Sequence, residues 1–229
     1  TQGSFRGWEG SSCNCTPLGV DVVKHKPECN SVTNPGDARL LKTLYHHQPN
    51  QSTPFEMAGM VIEVQAPIFV FREWHRHRTQ SYNEMSARYA PLPDLYYHPD
   101  PKNVFARAEA ALTTANKQAA GSGTRHSDED ILHWLQHVDE LYEKLEFSYK
   151  KGIAMGVPKE LARLAMPVGH YSRMRAAANL RNWLAFITLR SDPKAQWEIR
   201  QYSLALEQIL SSVFPRTYQL FVDSRAQRC

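Results

Sequence analysis

The segment over residues 57–75 constrains the fold most, because it predicts a half-buried strand that passes directly into an apolar helix. Met60, Ile62 and Val64 recur at period two, which is the spacing of a strand with one buried face. Pro67 follows the strand and suits the first turn of the helix that comes next. The chain is therefore expected to combine strands with helices.

Helical segments dominate the rest of the chain. The sequence predicts helices from about residue 34 and over residues 101–120, 128–152, 159–166 and 179–190 and from residue 195 onward, with a strand over 168–178. There is no βαβ repeat, no Gly-x-Gly-x-x-Gly fingerprint and no Walker-type loop, so a Rossmann fold is not expected. We predict an α/β fold of the α+β type with a mixed or antiparallel sheet. It forms a single catalytic domain over residues 34–229, after an N-terminal extension over residues 1–33.

A basic stretch over residues 76–88 follows the predicted helix and holds three arginines, a histidine and a carboxylate. Arginine presents a planar, permanently charged fork of donors that matches phosphate geometry, so the stretch indicates binding of a phosphorylated small molecule. Consecutive helical residues point about 100° apart, so Arg76, His77 and Arg78 would serve two ligands or one large ligand with several phosphates. A solvated basic turn is the alternative interpretation.

The pattern Arg-His-Arg-x-x-Ser-x-Asn-Glu-x-Ser-x-Arg over residues 76–88 resembles the signature of the flavin-dependent thymidylate synthases, the ThyX family, at every defined position. Other segments resemble the same family in the same order, so the likeness covers about residues 30–222. These segments are residues 53–56, 66–70, 156–158, 189–190 and 195–199.

The resemblance implies an enzyme that converts dUMP to dTMP, with methylenetetrahydrofolate as carbon donor and NADPH as the reductant of a bound FAD. It also implies a homotetramer in which FAD and nucleotide bind where subunits meet. The family's substrate-binding positions correspond here to Glu73, Arg76, Glu84, Met85, Ser86, Ala87, Arg88, Arg163 and Arg190. Its flavin-binding positions correspond to Thr53, Arg76, His77, Arg78, Asn83, Glu84, Asn179, Arg181 and Ala185.

Two positions depart from the family pattern. Gln51 stands where most relatives carry a histidine associated with flavin and folate, and glutamine donates a hydrogen bond but cannot carry a proton. Ala185 stands where relatives often place Asn or His, so one flavin hydrogen bond worth about 1 kcal/mol is lost. Because members of the family in nucleoside-antibiotic pathways methylate UMP, these departures leave UMP, or both nucleotides, as the alternative substrate.

The cysteines bear on how the pyrimidine is activated. Cys13, Cys15, Cys29 and Cys229 lie near the chain ends, whereas the ordinary thymidylate synthase route needs a thiolate that adds to C6 of the ring. The ring must then be activated by other means. Free thiols are expected at these positions, and a zinc site with His25 is the alternative, although its spacing does not fit the usual paired ligands.

Arg190 is the expected catalytic residue in the route without a thiolate. Its guanidinium stays protonated, so it would stabilise the pyrimidine anion at N3 rather than act as a base. Arg88, Arg163 and Arg76 would hold the 5′-phosphate, and Ser86 would orient the base. Ser86 as a nucleophile is the alternative, but no histidine with an orienting acid is visibly paired with it.

Charge and hydropathy argue against two other classes of protein. The net charge of +4 over 229 residues is small for a general nucleic-acid binder, and no apolar run is long enough to span a membrane. Residues 1–4 do not resemble the start of a secretory signal, so a cytoplasmic enzyme without a resident metal is expected. A nucleotide- or RNA-binding protein with a dead active site is the non-enzymatic alternative, and it would take up no flavin.

Overall fold

The computed structural model describes residues 35–46, 53–113 and 126–226. The α-helices are α1 Pro35–His46, α2 Thr53–Met57, α3 Ile68–Trp74, α4 Pro101–Thr113, α5 Asp128–Ala154, α6 Lys159–Ala162, α7 Leu180–Arg190, α8 Trp197–Val213 and α9 Pro215–Ala226, and a 3₁₀ helix spans Arg163–Ala165. The strands are β1 Gly59–Pro67, β2 Ser81–Glu84 and β3 Tyr171–Asn179. The extension predicted over residues 1–33, the departure at Gln51 and the predictions for the cysteines and His25 lie outside the described residues.

The described strands form an antiparallel sheet in the order β1–β3–β2. The strand β3 pairs with β1 along its whole length, which places Ile62 opposite Ala176, and β2 pairs with its other edge, which places Asn83 opposite Arg175. Ile62 and Val64 are buried, as their period-two spacing predicts. The predicted α/β fold of the α+β type, with its antiparallel sheet, is confirmed.

One face of the sheet carries the core. Trp74 of α3, Trp183 and Phe186 of α7 and Ile199 of α8 pack with the buried strand residues in one cluster. Each large apolar side chain buried in this way contributes roughly 1.5–3 kcal/mol. The intervening strand residues point to the opposite face, so that face is left open for other contacts.

The helix α7 has the bounds that the sequence predicts. Asn179 is its N-cap, and its side-chain oxygen accepts a hydrogen bond from the backbone N–H of Asn182 at 2.9 Å. The helix ends at Arg190 after 11 residues, so Asn179 and Arg190 lie roughly 16 Å apart along it. The two ends of α7 therefore belong to different parts of any site built on it.

The long helix α5 continues past its predicted stop at Gly152. An ideal Cβ on Gly152 would lie 3.3 Å from Cβ of Ala162, so this glycine allows α6 to pack closely against α5. The chain reverses at Gly156 instead, whose φ of +79° lies in the left-handed region that favours glycine. At the other end of α5, Ser127 forms a capping box with Asp130, with the backbone N–H of Asp130 donating to the serine hydroxyl at 3.1 Å.

The outer side of α5 exposes large apolar side chains, among them Trp134 and Leu141. These two residues are seven apart and therefore lie on the same side of the helix. Exposed apolar groups of this size are typical of protein interaction surfaces. None of the helices in the described ranges combines the length and hydropathy that a bilayer-spanning segment needs.

Candidate active site

The first residues of the signature form a turn between α3 and β2. The hydroxyl of Tyr82 lies 3.1 Å from the carbonyl oxygen of Trp74 and 2.6 Å from that of His77, and the indole N–H of Trp74 donates to Oε1 of Gln80 at 3.0 Å. These contacts satisfy backbone groups at the end of the helix, so α3 stops at Trp74. The prediction that a helix would carry the basic residues is therefore wrong. The turn nevertheless points them apart, with His77 half-buried and the arginines on either side of it exposed.

Arg190 joins the end of α7 to the end of α3. Its Nη1 donates to the Glu73 carboxylate at 2.9 Å, its Nη2 to the Glu73 carbonyl oxygen at 2.7 Å and its Nε to Nε2 of His77 at 2.9 Å. The Arg190 side chain is only 15% exposed, whereas the Glu73 side chain is 42% exposed. Three of the five guanidinium N–H groups are engaged, so two remain for a ligand. The structure thus brings together three residues from separate parts of the sequence, namely Glu73 of α3, His77 of the signature and Arg190 of α7.

His77 is neutral in this arrangement. Burial and, next, the Arg190 guanidinium lower the pKa of His77 to about 4, and the Glu73 carboxylate opposes both effects. Because Nε2 accepts the hydrogen bond from Arg190, the ring proton lies on Nδ1. The ring centroid lies 4.6 Å from that of Phe186, which fixes the ring against the core. At neutral pH, His77 therefore offers one N–H donor and does not serve as an acid.

Residues 85–88 follow β2 and lie against α6. The Nε of Arg88 pairs with the Glu160 carboxylate at 2.8 Å, and both side chains are about half exposed. Arg163 begins the 3₁₀ helix directly after α6 and is half-buried. Ser86 is also half-buried, and its hydroxyl accepts a hydrogen bond from the backbone N–H of Arg88 at 3.3 Å. Two of the three arginines predicted to bind the substrate phosphate, Arg88 and Arg163, are thus placed on neighbouring segments.

A cleft of about 430 Å³ opens beside the first turn of α7. Thr79 and Ser81 of the signature line one side of it, and Asn179 and Asn182 line another. The side-chain amide of Asn182 donates to the carbonyl oxygen of Thr79 at 3.3 Å, which ties the two sides together. Ligand pockets commonly enclose about 300–1,000 Å³, so this cleft is large enough to hold part of a cofactor.

The remaining wall of the cleft comes from α2 and the start of β1. Glu56 of α2 lines the cleft and forms an ion pair with Arg181. Thr53 begins the same short helix. Of the predicted flavin residues, Asn179 lines the cleft and Arg181 pairs with its lining residue Glu56.

Other predicted site residues have different partners within the chain. Arg190 bonds to Glu73 and His77, whereas Arg88 pairs with Glu160. Asn83 and Glu84 are exposed on β2, and Ala185 is exposed midway along α7. A single chain therefore presents the Arg190 group and the phosphate arginines as separate groups.

The sequence did not reveal the acidic partners of the predicted arginines. Glu56 and Glu160 pair with Arg181 and Arg88, yet neither is among the predicted site residues. The only signal was that Glu56 lies in a segment resembling the family. Within the described ranges, there is no group of three or more His, Cys, Asp or Glu side chains that could hold a metal ion.

Comparisons with known proteins point to one family. The family model described as thymidylate synthase complementing protein matches residues 15–216. The flavin-dependent thymidylate synthase of Pseudothermotoga lettingae is 34% identical over 189 residues, which cover 82% of this chain and 77% of the relative. The flavin-dependent thymidylate synthase of Thermotoga neapolitana is 36% identical over 187 residues, which cover 81% and 76% of the two chains.

Solved structures give the same indication. The UMP/dUMP methylase PolB from Streptomyces cacaoi bound with 5-Br dUMP superimposes with a TM-score of 0.68 at 28% identity, covering 83% of this chain and 82% of that one. PolB bound with 5-Br UMP superimposes with a TM-score of 0.67 at 29% identity, covering 81% and 82%.

Proposed function

The chain belongs to the thymidylate synthase complementing protein family, and on this premise we propose that it methylates C5 of a uridine 5′-monophosphate, converting dUMP to dTMP. It is an enzyme of the methyltransferase class, and its relatives are named flavin-dependent thymidylate synthases. The observation that carries the proposal is the placement of Arg190, oriented by Glu73 and His77 and with two N–H groups left over.

Arg190 supports activation of the pyrimidine without a thiolate. Loss of the N3 proton increases electron density at C5, and a guanidinium held against the carbonyl edge of the ring stabilises the resulting anion. Arg190 remains protonated and cannot remove that proton itself. Because it is held at three points before a ligand arrives, little reorganisation is needed when the charge develops. Each charge-assisted hydrogen bond of this kind contributes roughly 1.5–3 kcal/mol.

The cleft beside α7 has the properties of a flavin site. Asn179, Ser81 and Thr79 offer polar groups around an opening of about 430 Å³, and His77 on the adjoining turn keeps one N–H donor at Nδ1. The exposed Arg76 and Arg78 of that turn would hold phosphate groups. When bound, FAD supplies the redox chemistry that turns a folate-derived methylene into a methyl group. NADPH as reductant and methylenetetrahydrofolate as carbon donor complete the proposed reaction.

The 5′-phosphate of the nucleotide would be held by Arg88 and Arg163, together with Arg76. The ion pair between Arg88 and Glu160 lies at the surface, where such pairs contribute little, so a phosphate can replace the carboxylate. Ser86, half-buried just before Arg88, would orient the base.

We propose that a homotetramer brings these groups into one site. In one chain Arg190 is held by Glu73 and Arg88 pairs with Glu160, and in the proposed assembly the Arg190 group of one subunit and the phosphate arginines of another complete one site. Exposed apolar side chains on α5 provide contact surface for that assembly. The bulkiest of these side chains is Trp134, which is 56% exposed.

UMP is the second candidate substrate. The likeness to PolB, which is described as a UMP/dUMP methylase and was solved with analogues of both nucleotides, favours this alternative. The chemistry at C5 is the same for both substrates. They differ only in the ribose 2′-hydroxyl, so discrimination depends on whether a group in the site accepts that hydroxyl.

Tritium release from C5-labelled dUMP, and separately from UMP, tests the proposal. The purified protein is supplied with FAD, NADPH and methylenetetrahydrofolate, and each component is omitted in turn. We expect release from dUMP that stops when any one component is absent. Comparable release from UMP would establish the second candidate. No folate-dependent release from either nucleotide by a protein that has taken up FAD would contradict both.

A further inference from the structure

The outward face of the sheet carries two arginines that are not among the predicted site residues. Arg173 and Arg175 alternate with the buried Met174 on β3, so both point away from the core. The strand register places Glu63 of β1 and Asn83 of β2 beside Arg175 on this same face. Together with Met85, these residues line a cavity of about 200 Å³.

The charges of this cavity favour an anion. The Nε of Arg175 donates to the Glu63 carboxylate at 2.9 Å, so its two terminal amino groups are left for a ligand. The Arg173 side chain makes no hydrogen bond or ion pair with any residue that the structure describes. Two guanidinium groups against one carboxylate leave a net positive charge. A planar fork of donors matches the paired oxygens of a phosphate group.

The cavity continues the cleft in which the flavin is proposed to bind. Along β3, Ala177 and Asn179 line the cleft, and Arg173 and Arg175 line the cavity. The same order holds on β2, where Ser81 lines the cleft. Strand residues rise by about 3.3 Å each, so Ala177 and Arg173 lie roughly 13 Å apart. One ligand that covers both openings must be longer than a mononucleotide.

We propose that Arg173, assisted by Arg175 and Asn83, binds a phosphate group of a dinucleotide whose other end lies in the cleft beside Asn179. The inference rests on the proposed function, because that reaction uses two dinucleotides, FAD and NADPH. Both carry a diphosphate, and NADPH carries one further phosphate. The chemistry of the subsite is common to both, so binding measurements must distinguish them.

Equilibrium affinities of Arg173→Gln for FAD, NADPH and dUMP provide the test. Flavin fluorescence reports FAD binding, and calorimetry reports NADPH and dUMP binding. We expect one dinucleotide to bind about 10-fold to 100-fold more weakly, as loss of a charge-assisted bond to phosphate requires, while dUMP affinity changes less than twofold. Arg175→Gln should weaken the same dinucleotide by less, because Glu63 already takes part of its charge. Arg216→Gln, an exposed position on α9, is the matched control and should leave all three affinities unchanged.

The ligand that loses affinity identifies the occupant of the subsite. Arg173→Lys keeps the positive charge without the planar fork and should show an intermediate loss of affinity. Circular dichroism checks the fold of each variant, and the lysine variant replaces the glutamine variant if the latter does not fold. Unchanged affinity for both dinucleotides in folded variants would overturn the subsite. That result would leave tritium release by the unaltered enzyme untouched, so failure of the subsite is distinguishable from failure of the proposed function.

Discussion

Substituting His77 by glutamine removes a titrating ring while keeping a side-chain oxygen that can accept the Nε–H of Arg190. In the unaltered protein, burial and then Arg190 lower the pKa of His77 to about 4 from its ordinary value near 6.5. Because its folded-state pKa is lowered, the folded protein binds fewer protons than the unfolded chain between these two values. Its contribution to stability is therefore complete above about pH 6.5 and is lost as the pH falls towards 4. The stability lost between pH 7 and pH 4 corresponds to at most roughly 3 kcal/mol, and less after screening by solvent at this half-buried site.

Carbon-detected or proton-detected spectra of the histidine rings measure this titration directly. The signal absent from His77→Gln identifies His77, and His133→Gln, on the exposed side of α5, is the control for assignment. We expect the His77 signal to remain that of a neutral ring, protonated at Nδ1, until the pH approaches about 4. In Arg190→Gln the midpoint should rise, because the second cause of the lowered pKa is gone, but burial should keep it below the ordinary value. A midpoint at or above the ordinary value in the unaltered protein would refute the arrangement of Arg190 and His77.

Three further predictions concern other parts of the molecule. Arg190→Gln should lower kcat/KM at least about 100-fold, because it removes charge stabilisation of the pyrimidine anion, and tritium release measures the loss. Gly156→Ala should destabilise the protein by about 1–2 kcal/mol in urea unfolding, since its φ of +79° strains a residue with a Cβ although nothing lies within 4 Å of that position. Ser127→Ala should cost about 1 kcal/mol by the same measurement, because it removes the capping box of α5, and an unchanged midpoint would contradict the cap.

Local spacing was sufficient to predict β1 and α7, but not the short elements α2 and β2 that also carry site residues. The alternation of Ile62 and Val64 predicts β1, and Asn179 predicts the start of α7, because both signals lie within one element. The end of α5 was placed too early for a physical reason. Gly152 serves close packing against α6, whereas the reversal that needs a left-handed glycine occurs at Gly156.

The pairing of the site residues could not be predicted from spacing. Arg190 and Glu73 are 117 residues apart in sequence, and Arg181 and Glu56 are 125 apart, so only the fold brings them into contact. The resemblance to the family named Arg190, Glu73 and Arg181 as ligand-binding positions but gave no information on which acid holds which arginine. The turn that carries Arg76, His77 and Arg78 depends on a contact of the same kind, because the hydroxyl of Tyr82 reaches back from β2 to the carbonyl groups of Trp74 and His77.

The mass of the nucleotide product tests the central claim most directly. Equal amounts of dUMP and UMP are incubated together with the enzyme, FAD, NADPH and methylenetetrahydrofolate. The nucleotides are then separated, and their masses are measured by mass spectrometry. We predict a product heavier than dUMP by one CH₂ unit, with the new carbon at C5 and no product when FAD is omitted. Recovery of both nucleotides unchanged from a reaction in which the protein holds FAD would contradict the account.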